Sequence, residues 1–121
     1  MLAPEASTDR EAHTVTDAQI RAYFASEKAD LSRHASRRGN SRNIDPISLA
    51  QALARDAQVI EDYPYDSEGP SALALAHLAD GRPVHAVIGF STEPWTIITV
   101  YRPDDEPHRW NPDFTKRRGR R

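Results

Sequence analysis

Ser71 to Phe90 reads SALALAHLADGRPVHAVIGF, and this run decides the fold. Two apolar stretches of strand length, Ser71–Leu78 and Arg82–Phe90, flank Asp80–Gly81. That dipeptide is the sequence's best signal for a two-residue hairpin, because both residue types tolerate the positive φ such turns need. Moving outward, Trp95–Arg102 supplies a further strand after Pro94. On the other side Ala57–Tyr63 supplies one before a loop, Pro64–Pro70, rich in Asp, Gly and Pro. The four runs make an antiparallel meander.

Helices come first in the chain. Thr16 and Gln19 have capping-box spacing, and Val15 and Ile20 stand where a hydrophobic staple puts them. Ile20, Tyr23 and Phe24 form the apolar stripe of a helix ending near Ala29, and Leu31 opens a short extended piece. Ser32 caps a second helix through Arg38, which Gly39 and Asn40 disrupt. Asp45–Pro46 starts a third, an N-cap followed by proline at the first helical position. Its apolar side is expected through Ile47, Ala50 and Ala54, with Leu49 and Leu53 beside them. Pro103, Pro107 and Pro112 argue against regular structure after the last strand. Helices followed by a meander define an α+β domain, N-terminal helices packed on a four-stranded antiparallel sheet.

The chain has 121 residues, the usual size of one domain. Residues 1–13 read as a disordered leader, 14–30 as a helical extension, 31–114 as the α+β domain and 115–121 as a basic tail. No cysteine is present, which excludes disulfides and thiolate zinc sites. No apolar run approaches the roughly 18 residues that span a bilayer, and the N-terminus lacks the apolar core of a signal peptide. The expectation is a cytoplasmic protein without a membrane partner. Net charge is −2, yet the charge is segregated. Four arginines and a histidine occupy Arg33–Arg42 without an acid, and Lys116, Arg117, Arg118, Arg120 and Arg121 form a second basic block. Such patches suit a phosphate backbone, or a merely solvated surface.

The run HASRRGNSRNI, His34 to Ile44, resembles the opening motif of the domain-of-unknown-function family 4258, carried here by His34, Ala35, Arg38, Arg42 and Ile44. VIEDYPYDSEGPSALAL, GRPVHAV, IITVYRPD and RWNPDF follow in the family's order, so the resemblance covers about Leu31 to Arg118. Gly39 and Asn43 depart from the family's usual bulky residue and glycine, which shortens or kinks the middle helix. The family is similar in expected fold to RelE-like and BrnT-like toxins. That resemblance implies metal-independent cleavage of RNA, with RNA or the ribosome and a cognate antitoxin protein as partners, and with no cofactor.

Such cleavage needs a group to deprotonate the 2′-hydroxyl, one to meet the added charge on phosphorus and one to protonate the leaving oxygen. Histidine suits proton transfer and arginine the phosphate. His34 and Arg38 are four residues apart and share a helical face. With them, His85 and Tyr101 are the catalytic candidates, and Arg42, Arg82, Thr99, Arg117 and Arg118 the RNA-binding ones. Each has a plainer alternative. His85 sits mid-strand in an apolar run and suits a buried, hydrogen-bonded histidine. Arg82 can neutralise Asp80, while Trp110 and Phe114 can plug the sheet. Register decides convergence: if Phe90 pairs with Trp95, His85 stands opposite Val100 and across the sheet from Tyr101, and a one-residue slip reverses this. Adjacent Glu61 and Asp62 point to opposite faces of a strand, which weakens a paired-carboxylate mechanism. His77 and His85 lack a carboxylate at metal-ligand spacing, so no metal is expected. A non-catalytic module holding RNA or an antitoxin through the same basic surface is the competing reading.

Overall fold

The computed structural model describes residues 14–26, 44–65, 69–91 and 93–118. Within them lie two helices, α1 (Asp17–Ala25) and α2 (Pro46–Asp56), then four strands, β1 (Gln58–Tyr63), β2 (Ser71–His77), β3 (Pro83–Gly89) and β4 (Thr96–Tyr101). The strands form one antiparallel sheet in sequence order, the expected meander, and the class is α+β. The expected helix over Ser32–Arg38 and the extended piece at Leu31 lie outside the described residues.

α1 begins as its cap residues dictate. The Thr16 hydroxyl accepts from the Gln19 amide at 3.1 Å, and the Thr16 amide donates to Gln19 Oε1 at 2.8 Å. The helix stops at Ala25, before the expected Ala29. Its polar side chains tie it to the sheet: Asp17 Oδ1 accepts from the Val59 amide at 2.7 Å, and Arg21 Nε donates to the Ala57 carbonyl at 3.1 Å. At the far end the Tyr23 hydroxyl accepts from the Trp95 amide at 2.8 Å, and the two rings stack with centroids 4.2 Å apart. In α2, Asp45 Oδ2 caps the Ser48 amide at 2.9 Å and Pro46 takes the first turn. The buried stripe is Leu49, Ala50, Ala52 and Leu53, whereas Ile47 is 55% exposed. The expected stripe is thus rotated: the i, i+4 pair Leu49 and Leu53 faces inward, which turns the first-turn Ile47 away.

The hairpin between β2 and β3 has three loop residues, not two. Gly81 donates to the Leu78 carbonyl at 2.8 Å, and the Leu78 amide donates to the Arg82 carbonyl at 2.9 Å. Gly81 takes φ +88°, the glycine position of a turn followed by a bulge. After β4 the prolines do not abolish regular structure. They start two short 3-10 turns, Pro103–Asp105 and Pro107–Arg109.

Strand alternation gives the sheet two different faces. Ala72, Ala74, Ala76, Val84, Ala86, Ile88, Ile97 and Val100 join Ile20, Phe24, Leu49 and Leu53 in the main core under the helices. The small alanines let α2 approach the sheet closely. Leu73, Leu75, His85, Val87, Thr99 and Tyr101 are in mutual register on the reverse face. The C-terminal segment returns across that face as a strap, with Trp110 buried and bridged to Arg117.

Candidate functional site

Two bulges assemble the reverse face. The β1–β2 register shifts between Val59 and Glu61, so Glu61 stands opposite Leu73 and Tyr63 opposite Ser71. The β3–β4 register shifts between Val87 and Ile88, so Val87 pairs with Thr99 and His85 with Tyr101. Near the connection, Gly89 pairs with Thr96, the register that Phe90 against Trp95 would begin. Ile98 is the extra residue, and it supplies the slip that brings Tyr101 to the same side as His85. Without either bulge, Glu61 or Tyr101 would face the helices, since one residue reverses every side chain beyond it.

His85 is fully buried, and both ring nitrogens are engaged. Nε2 lies 2.9 Å from the Phe114 carbonyl and Nδ1 3.1 Å from the Tyr101 hydroxyl. Burial lowers its pKa to about 4, against the raising effect of the Phe114 carbonyl, so the ring is neutral near pH 7. A carbonyl only accepts, which puts the ring proton on Nε2 and leaves Nδ1 bare. Tyr101 must therefore donate its hydroxyl proton to Nδ1. The Tyr101 pKa is raised, chiefly by burial, so this proton stays in place. Trp110 closes the site edge-on, its centroid 4.4 Å from the imidazole.

The Phe114 carbonyl is aimed by a tight loop. Asn111 Oδ1 accepts from the Thr115 and Lys116 amides at 2.9 and 3.2 Å, and the Phe114 amide donates to the Asn111 carbonyl at 2.9 Å. Within it Phe114 adopts φ +64°, a left-handed conformation rare outside glycine.

Arg117 is the second centre. Nε and Nη2 donate to Glu61 Oε2 and Oε1 at 2.7 and 3.1 Å, and the guanidinium lies 4.8 Å above the Trp110 ring. Tyr63 also donates its hydroxyl to Glu61. Burial pushes the Glu61 carboxyl up, but the hydrogen bonds from Arg117 and Tyr63 outweigh it and the pKa falls. Burial, reinforced by Glu61, pushes the Tyr63 hydroxyl up to about 12. Forked on one edge and stacked on one face, Arg117 is held in a single orientation.

Between β4 and the strap lies an open-sided cleft of about 510 Å³, to which Tyr101, Arg102, Asp105, Glu106, Arg109 and Arg117 contribute. Arg109 pairs with Glu106 at 2.7 Å. Thr99, half-buried, sits beside Tyr101 on the same face. Arg82 is committed elsewhere. It forks Asp104 at 2.8 and 3.0 Å and reaches Asp105 at 3.2 Å, which fixes the first 3-10 turn on the hairpin end of the sheet. Arg118 donates its amide to the Arg109 carbonyl and is exposed. His34, Arg38 and Arg42 lie outside the described residues. Among the described residues, no group of three or more His, Asp or Glu side chains could hold a metal ion.

Sequence reasoning missed Glu61 as the partner of Arg117, Arg109 in the cleft wall, and the Phe114 carbonyl. The pair Glu61–Arg117 spans 56 positions and leaves no local signal. Pro112 argued only against regular structure there and gave no direction for the carbonyl that follows.

The chain belongs to the family described as a domain of unknown function (DUF4258), whose profile matches residues 31–102. The match takes in β1 to β4 and stops before the strap. No curated protein and no solved structure matches the chain. Among the described residues, no helix is long and apolar enough to cross a membrane.

Proposed function

We propose that the chain is an RNA-directed protein of the RelE-like toxin type, an endoribonuclease acting without a metal in the cytoplasm. The observation that carries this reading is the cleft on the reverse face, where Tyr101 and a rigidly oriented Arg117 line one concave site. In the reaction, the 2′-oxygen attacks the adjacent phosphorus and the 5′-oxygen leaves, giving a 2′,3′-cyclic phosphate. Arg117 meets the charge that builds on the phosphoryl oxygens. His34 takes the 2′-hydroxyl proton and a proton returns from it to the leaving 5′-oxygen, with Arg38 as its phosphate partner, the roles that side-chain chemistry and a spacing of four residues suggest. His85 takes no part in proton exchange, because it is buried and neutral with both nitrogens engaged. It positions Tyr101 instead. A cognate antitoxin protein is the expected partner.

One observation favours a second reading, a non-catalytic module for RNA or an antitoxin. Of the two histidines proposed from the sequence, the described one is sealed in the fold. The test is expression of the intact chain beside a His34→Ala, Arg38→Ala double variant, following growth and total RNA. Growth arrest with fragments bearing 5′-hydroxyl ends, from the intact chain alone, supports the nuclease. Retention of RNA by the purified protein without fragments supports the module.

A further inference from the structure

The direction of the Tyr101 hydroxyl bond says what the cleft can recognise. Its one proton is given to His85 Nδ1, because Nε2 donates to the Phe114 carbonyl and the neutral ring has no other acceptor. The Tyr101 oxygen is left with lone pairs for any ligand in the cleft it lines, so it acts there as an acceptor. Arg117 lines the same cleft and is a pure donor. The Glu61 fork engages Nε and Nη2, and the side chain remains 47% exposed. An acceptor and a guanidinium lining one cleft suit a ligand that carries both a hydroxyl and a phosphate. In RNA the 2′-hydroxyl and the 3′-phosphate stand on adjacent ribose carbons, and the 2′-hydroxyl is the group that separates RNA from DNA.

We propose that the cleft between β4 and the strap is a ribose-phosphate subsite, in which Tyr101 accepts a hydrogen bond from the 2′-hydroxyl and Arg117 holds the 3′-phosphate. The proposal rests on the RNA-directed reading and names the feature by which RNA is chosen over DNA. Most of the site lies on the strap: Pro103, Asp105, Glu106, Arg109, Trp110 and Arg117 all fall after residue 102, where the family match ends. Arg109 also lines the cleft, paired to Glu106, and is a further cation for a neighbouring phosphate.

The test uses the full-length protein and ligands it cannot cleave: the four ribonucleoside 3′-monophosphates, their 2′-deoxy and 2′-fluoro counterparts, and inorganic phosphate, by titration calorimetry. One neutral hydrogen bond predicts that the ribonucleotides bind about fivefold more tightly than the deoxy forms. The 2′-fluoro forms, which cannot donate, should bind like the deoxy forms. Tyr101→Phe should lose the preference and keep the affinity for deoxynucleotides, whereas Arg117→Gln should weaken both series. Thermal melting checks that the variants fold, and the 2′-fluoro comparison needs no variant at all. Equal affinity of the intact chain for the ribo and deoxy forms overturns the proposal. So does a preference that survives in folded Tyr101→Phe, or no binding of any nucleotide at about 10 mM. A chain that leaves RNA intact yet prefers the ribonucleotides loses its nuclease reading but keeps this subsite. An oligoribonucleotide and its DNA counterpart then tell whether polymer or free nucleotide is the natural ligand.

Discussion

A histidine in the middle of an apolar strand has to satisfy two nitrogens, and here each partner comes from a different part of the chain. Tyr101 arrives from the neighbouring strand and the Phe114 carbonyl from the strap. Removing the ring leaves a cavity and an unpaired, partly buried carbonyl. His85→Ala should therefore lower unfolding free energy by about 3 kcal/mol in urea titration. Tyr101→Phe keeps the packing but leaves Nδ1 without a donor, and a loss of about 1–2 kcal/mol is expected by the same measurement. The order of the two losses is informative. Should Tyr101→Phe cost nothing, the hydroxyl would not be bound to His85, and its acceptor role in the cleft would fall with it.

Helix starts and strand order were legible in the sequence because caps and periodicity are local. Thr16 with Gln19, and Asp45 with Pro46, act within three or four residues of the helix they open. The site was less legible, because its residues reach one face only through bulges at Ile60 and Ile98. Ile98 is β-branched and apolar like its neighbours, so nothing in IITVY marks it as the extra residue. The bulge exists because packing is better served when Ile97 and Val100 both reach the helix-side core. Long-range pairs such as Glu61–Arg117 and Asp17–Val59 are equally silent in sequence. The second gives a prediction at this scale. Asp17→Ala removes the acceptor for the Val59 amide, so that amide should exchange with solvent at least tenfold faster while the other β1 amides change little. A uniform rise along β1 would instead mean that α1 holds the whole strand.

Taken whole, the sheet is covered on one side by helices and on the other by a strap whose anchors are Trp110, the Phe114 carbonyl and the Arg117–Glu61 pair. A chain ending at Glu106 should expose Leu73, Leu75 and His85, and bind an apolar dye that the intact chain does not. The same seal makes stability depend on pH. His85 titrates at about 4 when folded and near its ordinary 6.5 when unfolded. Between those values the unfolded chain binds a proton that the folded chain refuses, so acid favours unfolding. The contribution is complete above about pH 6.5 and declines as pH falls toward 4, by on the order of 3 kcal/mol for a shift of this size. Glu61 adds in the same direction at lower pH, because its folded pKa lies below the usual carboxylate value and its share is lost as it protonates. Urea midpoints measured from pH 4.5 to 7.5 should therefore climb through pH 6.5 and level off. In His85→Leu, which keeps the site filled without a titrating group, the climb between pH 5 and 6.5 should largely vanish. If the variant climbs as steeply as the intact chain, other groups set the acid limit, and the strap does not keep His85 neutral.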